Sequence, residues 1–200
     1  QHAFVDRHSG TLTTRAKLTK VTRSAGMIIQ NFDLSVHRGS ELILEGDTYF
    51  GFFHPDALAD QVGIREALPM ILDPAALPGA RAFEIPSDAP FPDDRWRMTR
   101  RIVAYSEDGG PHGLGAIVGK IEVDPDAWFF KAHFKDDPVW PGSLGLESFL
   151  QLLKVVAVER WGAAPSATFD SPGLGQPHRW IYRGQILPTS REVTTQAVIT

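Results

Sequence analysis

The stretch WFFKAHFKDDPVWPGSLGLESFLQ, residues 128–151, joins an aromatic loop to a long apolar segment. From Leu144 to Trp161 apolar residues fall on nearly every side of a helical projection, whereas a surface helix would confine them to one stripe. This pattern predicts a buried central helix over residues 143–161, with Ser143 as its N-cap. Most of the other regular segments alternate like β-strands, so the sequence predicts an α+β fold in which an antiparallel sheet wraps around this helix.

Polar residues on a buried helix require an explanation, because their burial is unfavourable. Glu147 and Gln151 lie one turn apart and share a face, and burying a carboxylate is costly unless it is paired, protonated or used in chemistry. His133 precedes the helix, and the Pro141-Gly142 turn leaves free backbone N–H groups at the positive end of the helix dipole. Such a helix end suits a developing oxyanion.

Each of these residues also has a purely structural interpretation. A lone histidine in an aromatic setting is more often a hydrogen-bonded, half-buried residue than a catalytic one, and the same holds for Glu147. Ser143 suits a cap better than a nucleophile, because Pro-Gly-Ser-Leu-Gly lacks the Gly-x-Ser-x-Gly spacing. What favours a catalytic site is the order of base candidate, Pro-Gly turn, helix N-terminus and acid candidate.

The run HFKDDPVWPGSLGLESFLQ, residues 133–151, resembles the active-site segment of the FabA/FabZ-type 3-hydroxyacyl-thioester dehydratases, which have the hot-dog fold. The resemblance is strongest over about residues 96–188 and is greatest to the dehydratase domains of polyunsaturated fatty acid synthases and polyketide synthases. It implies that His133 is the catalytic histidine and Glu147 the catalytic acid. It further implies that Gln151 supports the acid and that the Gly142 N–H polarises the thioester carbonyl.

The same resemblance implies a substrate carried on the phosphopantetheine of acyl carrier protein, with no further cofactor and no metal. Since the histidine and the acid of one site come from opposite hot-dogs in this family, it also implies a partner hot-dog, as a homodimer or within a larger synthase. Candidates to line the acyl tunnel, of which at least half are expected to be core residues instead, are Trp128, Phe130, Phe134, Val139 and Trp140. Candidates for docking the acidic carrier protein, with solvated strand faces as the alternative, are Arg95, Arg97, Arg100, Arg101, Lys131 and Lys135.

Three segments are predicted along the chain. The stretch TYFGFF, residues 48–53, resembles the closing strand of the first hot-dog in the paired synthase dehydratases. This resemblance implies that residues 1–68 hold the closing strands of a first, incomplete hot-dog and that the chain is part of a double hot-dog. A short helix is expected from Asp56 to Leu68. Residues 69–94 contain six prolines and are predicted to be a linker without regular structure. Residues 95–200 are expected to form the catalytic hot-dog.

Strands are predicted from the alternation of apolar and polar residues. The first unit is expected to be an antiparallel meander between Thr13 and Phe53. In the second unit the predicted strands are Arg97–Ser106, Leu114–Val123 and two strands between His178 and Ile199, separated near Pro188. The glycines at 113, 115 and 119 are interpreted as permitting close strand packing and not as a dinucleotide loop, because no helix follows them.

Composition excludes several classes of function. The chain has 200 residues, no cysteine and a formal net charge of −4, which exclude disulfides and thiolate chemistry and argue against a nucleic-acid-binding surface. The spacing of the seven histidines is not that of a metal site. No signal region or stretch of about 18 apolar residues is present, so a cytoplasmic protein without membrane contact is expected.

The predicted function is dehydration of a 3-hydroxyacyl thioester to the trans-2-enoyl thioester in fatty acid or polyketide synthesis. His133 is expected to act as the base, and Glu147, kept protonated by its apolar helix, as the acid. One alternative is a hot-dog thioesterase, which would use the acid to activate water. Another is a non-catalytic module that has a structural role or docks carrier protein. Isomerisation of the new double bond and the acyl chain length stay open.

Overall fold

The computed structural model describes residues 1–24, 26–59, 70–87, 89, 91, 93–162, 169, 174, 181–182 and 184–200. The chain divides into two compact units, Gln1–Gly63 with Ser171–Arg179 and Ile64–Asp170 with Trp180–Thr200. No helix within the described ranges is long and apolar enough to cross a membrane.

The first unit contains a three-stranded antiparallel sheet in the order β1-β2-β3. Its strands are β1, Thr13–Ser24; β2, Met27–Arg38; and β3, Glu41–Phe52. Leu18 stands opposite Phe32 across the first pair of strands, so these two apolar side chains share a face, as the pleat requires. The predicted meander is confirmed.

A short helix follows this sheet. Helix α1 spans Pro55–Ala59 and begins at a proline, the residue that suits the first helical position because it needs no N–H partner there. The predicted start at Asp56 is therefore correct to within one residue. The remainder of that prediction, residues 60–68, lies outside the described residues.

The second unit contains a four-stranded antiparallel sheet in the order β4-β5-β6-β7 and one long helix. Its elements are β4, Arg81–Glu84; β5, Arg101–Ser106; β6, Ala116–Glu122; α2, Trp128–Ala132; α3, Gly142–Trp161; and β7, Glu192–Val198. An antiparallel sheet with a single 20-residue helix is the predicted α+β arrangement of a hot-dog.

The core of this unit lies between α3 and the sheet. Leu152, Val155 and Val156 of the helix are at most 3% exposed and pack with Ile102 and Ile117 of the strands. These side chains leave water completely, and each contributes about 1.5–3 kcal/mol of transfer free energy.

Helix and sheet approach closely at Gly119 in β6. A Cβ atom there would lie 2.9 Å from Leu152 Cδ2 and 2.9 Å from Thr99 Cγ2. For Gly119 the interpretation of close packing is confirmed, because only a glycine leaves room for the helix at this point.

Two predicted boundaries are wrong. The strand predicted from Arg97 begins at Arg101, because the N–H groups of Met98 and Thr99 donate to the Gln151 side chain and not to a neighbouring strand. The helix predicted from Ser143 begins at Gly142 after Pro141, and Ser143 makes no capping bond.

Regular structure also occurs where none was predicted. Strand β4 lies within the proline-rich residues 69–94 and pairs with β5 at the edge of the sheet, where prolines on either side are tolerated. The aromatic loop before His133 contains helix α2. Of the two strands predicted after residue 178, β7 is confirmed; the other falls partly outside the described residues, and its described part is not a strand.

Candidate active site

His133 lies directly after helix α2 and is half-buried. Its backbone N–H donates to Phe129 O at 2.8 Å, and its ring Nδ1 lies 2.9 Å from Val139 O. A backbone carbonyl can only accept, so Nδ1 must carry the hydrogen. In the neutral ring Nε2 therefore keeps its lone pair, which is the state a general base needs.

The loop that follows fixes this histidine. Val139 N donates to His133 O at 2.8 Å, and Phe134 N donates to Asp137 O at 3.1 Å. The Phe134 ring stacks on the imidazole with 4.0 Å between ring centroids. Backbone and ring contacts together hold the imidazole in one orientation.

Gly142 opens helix α3. The N–H groups of Gly142 and Ser143 donate to no residue in the described part of the chain, whereas Leu144 N and Gly145 N both donate to Pro141 O. A Cβ at Gly142 would lie 3.3 Å from the Tyr182 ring. The helix therefore offers two free N–H donors, and glycine lets Tyr182 pack beside them.

The side-chain amide of Gln151 contacts Glu147, and all of its hydrogen-bonding positions are occupied. The residue is 1% exposed, and its Oε1 accepts from Met98 N at 2.9 Å and Thr99 N at 3.0 Å. Its Nε2 donates to Trp96 O at 2.8 Å and to Glu147 Oε1 at 2.9 Å. Two backbone donors at Oε1 exclude the flipped amide, so Gln151 can present only an N–H to the carboxyl group.

The surroundings of Glu147 are less apolar than the sequence suggested. Lys154 Nζ lies 3.7 Å from Glu147 Oε1, and the side chains are 21% and 23% exposed, respectively. The helix was expected to be apolar apart from Glu147 and Gln151 on one face, and Lys154 adds a cation to that face. Sequence reasoning missed Lys154, although its spacing of seven residues from Glu147 places both on one helical face.

The predicted residues are brought together only in part. Glu147 and Gln151 are in direct contact. In the sequence, His133 precedes the segment from Val139 to Pro141 and Gly142 follows it. In the part of the chain that the structure describes, no hydrogen bond or ion pair joins His133 to Glu147.

The predicted tunnel residues separate into two groups. Phe130, Val139 and Trp140 are buried, at 6%, 8% and 4% exposure, whereas Trp128 and Phe134 are 43% and 49% exposed. Of the five residues, Phe130 and Trp140 thus lie in the core cluster beside the N-terminal half of α3.

An apolar cavity of about 270 Å³ lies beside α3. Its lining residues are Ile121, Trp140, Gly145, Ser148, Phe149, Ile181, Tyr182, Ile186, Val193, Thr194 and Thr195. Burial raises the pKa of the Tyr182 phenol, which donates to Trp140 O at 3.4 Å. No sequence signal pointed to Tyr182, because its proximity to Gly142 depends on tertiary folding.

Three of the predicted docking cations hold the fold together. Arg97 is 9% exposed and donates to the carbonyls of residues 86 and 87. Arg100 pairs with Asp94 at 2.8 Å, and Arg101 reaches Glu192 at 3.4 Å. Among the described residues, Arg95, Lys131 and Lys135 form no ion pair.

A second cavity, of about 600 Å³, lies where these arginines meet α2. Its lining holds five basic and five acidic side chains, so it presents no net charge that would select an anion or a cation. The basic ones are Arg95, Arg97, Arg100, Arg101 and Lys120; the acidic ones are Glu84, Asp94, Glu122, Asp124 and Asp126. The described residues contain no group of three histidine or acidic side chains that could hold a metal ion.

Comparison with known proteins places this geometry in a family. The family model described as the FabA-like domain matches residues 91–200, which is more than half of the chain. One of the subunits of the polyunsaturated fatty acid synthase of Thraustochytrium sp. is 29% identical over 222 aligned residues. That alignment covers 99% of this chain but only 15% of the relative, so the chain spans a small part of its relative's length.

Proposed function

Because the chain belongs to the FabA-like family of hot-dog dehydratase domains, we propose that it dehydrates a 3-hydroxyacyl thioester carried on acyl carrier protein. The product is the trans-2-enoyl thioester. The observation that carries this proposal is the 2.9 Å contact between His133 Nδ1 and Val139 O, because it leaves Nε2 as the basic atom of a positioned imidazole.

The reaction requires one base, one acid and a site for negative charge. His133 Nε2 takes the C2 proton, and the electrons of that bond form the C2–C3 double bond as the C3–O bond breaks. Glu147 supplies the proton with which the hydroxyl group leaves as water. The free N–H groups of Gly142 and Ser143 stabilise the thioester oxygen as it gains enolate character, a contribution of about 3 kcal/mol per donor in comparable sites.

We infer that a second hot-dog completes the site, either as a homodimer or within a larger synthase. Two observations support this. Within the described residues no hydrogen bond or ion pair joins His133 to Glu147. The relative that aligns with this chain is a synthase subunit, and the chain covers only 15% of that subunit's length. Each hot-dog would then contribute one of the two groups.

The cavity beside Tyr182 is proposed to take the acyl tail. It is apolar, and Tyr182 links it to Gly142, where the thioester carbonyl is expected. Arg95, Lys131 and Lys135 are the proposed contacts for the acidic carrier protein, because their charges are not used within the described fold.

The test is turnover of a 3-hydroxyacyl pantetheine thioester, followed by the absorbance of the enoyl thioester. His133→Ala and Glu147→Gln are each expected to lower kcat by about 10²–10⁴, whereas His112→Ala, at an exposed turn position, keeps wild-type activity. Release of free thiol would show a thioesterase instead. A folded wild type without any turnover would contradict the proposal and favour the docking module.

A further inference from the structure

Among the described residues, the contacts recorded for the candidate acid go to one of its two carboxyl oxygens. Gln151 Nε2 donates to Glu147 Oε1 at 2.9 Å, and the Lys154 ammonium lies 3.7 Å from the same oxygen. Neither an ammonium group nor an amide NH₂ can accept a proton. A proton on Glu147 is therefore directed to Oε2, the oxygen that neither group contacts.

Lys154 is itself constrained. Its Nζ lies 5.7 Å from the centroid of the Phe169 ring, at a distance where the ring face attracts a cation. Phe169 in turn stacks on Phe91 with 6.4 Å between centroids. The ammonium thus lies between the carboxyl group of Glu147 on one side and an aromatic ring on the other, which limits the freedom that a lysine side chain usually keeps.

Burial makes this pair different from the ordinary surface ion pair. Both side chains are less than a quarter exposed, so salt and water screen their attraction less than that of an exposed pair. The three polar residues of α3 that share this face, at 147, 151 and 154, follow the i, i+4, i+7 spacing of one helical stripe.

The geometry points to Lys154 as a positioning residue for Glu147, one that keeps Oε1 engaged so that Oε2 exchanges the proton with the substrate hydroxyl group. This inference rests on the proposed dehydratase function. Lys154 does not touch the substrate in this role; it acts through the orientation of the carboxyl group.

The experiment compares Lys154→Met with Lys154→Arg in the full chain. Lys154→Met keeps the length of the side chain but removes its charge, and it is expected to lower kcat about tenfold with KM within about twofold. Lys154→Arg keeps the charge and is expected to recover kcat to within about threefold of wild type. The matched control is Lys120→Met, which removes a partly buried lysine paired with Glu192 on the sheet; its kcat should equal that of wild type.

Two results would overturn the inference. One is a Lys154→Met variant with wild-type kcat. The other is a Lys154→Arg variant as slow as Lys154→Met, which would show that the side chain serves only packing against Phe169.

A second measurement separates this inference from the proposed reaction. The thermal midpoints of Lys154→Met, Glu147→Gln and the double variant are compared, and the double variant is expected to lose less than the sum of the two single losses. Additive losses would show that the residues are not coupled, whether or not the chain dehydrates the thioester.

Discussion

Replacing Gln151 with leucine tests the network that holds the candidate acid. Leucine preserves most of the volume at a site that is 1% exposed but removes all four hydrogen bonds of the amide. Three backbone groups then lose their partner: Met98 N–H, Thr99 N–H and Trp96 C=O. The side chain of Glu147 loses its contact as well.

The magnitude follows from the number of groups left without a partner. The N–H groups of Met98 and Thr99 are buried, and each unpaired buried group costs about 1–3 kcal/mol, so these two together destabilise the fold by about 2–6 kcal/mol. The C=O group of Trp96 adds less, because this residue is 43% exposed and water can reach it. A typical domain has only about 5–15 kcal/mol of stability. We therefore expect Gln151→Leu to lose a large share of the free energy of unfolding and to lose dehydratase activity even at temperatures where it stays folded.

Urea unfolding followed by tryptophan fluorescence measures this loss. The four described tryptophans, Trp96, Trp128, Trp140 and Trp161, lie in the second unit, so their signal reports that unit. At a slope of about 1–3 kcal/mol/M, a loss of 3 kcal/mol lowers the midpoint by roughly 1–3 M. Ser148→Ala is the matched control: it lies on the same helix at 2% exposure but bonds only locally to Gly145 O. Its cost should stay near 1 kcal/mol.

The reasoning would be refuted by a Gln151→Leu variant that loses less than about 1 kcal/mol at an unchanged slope. That outcome would mean that other groups satisfy the N–H groups of Met98 and Thr99, and that the buried amide is not what fixes the start of the strand.

Three further outcomes are expected. Gly119→Ala should destabilise the second unit by about 1–3 kcal/mol in the same urea assay, because the new methyl group meets Leu152 and Thr99 at 2.9 Å. Gly142→Ala should lower kcat about tenfold or more, because a methyl group 3.3 Å from the Tyr182 ring shifts the helix end that carries the free N–H groups; wild-type kcat would contradict this. Burial raises the pKa of Tyr182 above 10.0 in the folded chain, so the unfolded chain ionises first as the pH rises. The contribution of the neutral Tyr182 phenol to stability is therefore complete below pH 10 and is lost as the pH rises through the folded-state pKa. Tyr182→Phe should therefore weaken the loss of stability seen above pH 10; an unchanged loss would contradict this.

The parts of the fold that local pattern determines were predictable. Apolar residues on every side identified the central helix, and alternation identified the meander of the first unit. The motif from His133 to Gln151 predicted the candidate site residues, of which Glu147 and Gln151 are in direct contact. The contact between Glu147 and Gln151 follows directly from a spacing of four residues on a helix.

The parts that depend on tertiary contacts were not predictable. Ser143 looked like a cap because serine usually is one, but the chain enters the helix one residue earlier, after Pro141. Strand β4 was not predicted because it is only four residues long and lies between prolines at the edge of the sheet. Tyr182 reaches Gly142 from 40 positions further along the chain, a distance over which sequence pattern carries no information.

The late start of β5 is explained by the site. Residues 97–100 alternate like a strand in sequence, yet the N–H groups of Met98 and Thr99 point to Gln151 Oε1 and leave the sheet ladder unformed until Arg101. Two backbone donors on one oxygen fix the direction of the amide, and that direction decides that Glu147 receives an N–H at Oε1. His133 is fixed in the same way, by a backbone carbonyl at Nδ1. In both cases the backbone, which cannot change its donors and acceptors, determines which atom of the candidate catalytic side chain has no partner among the described residues. A substitution that moves residues 96–99 without touching Glu147 should therefore impair the acid as much as a change at Gln151 does.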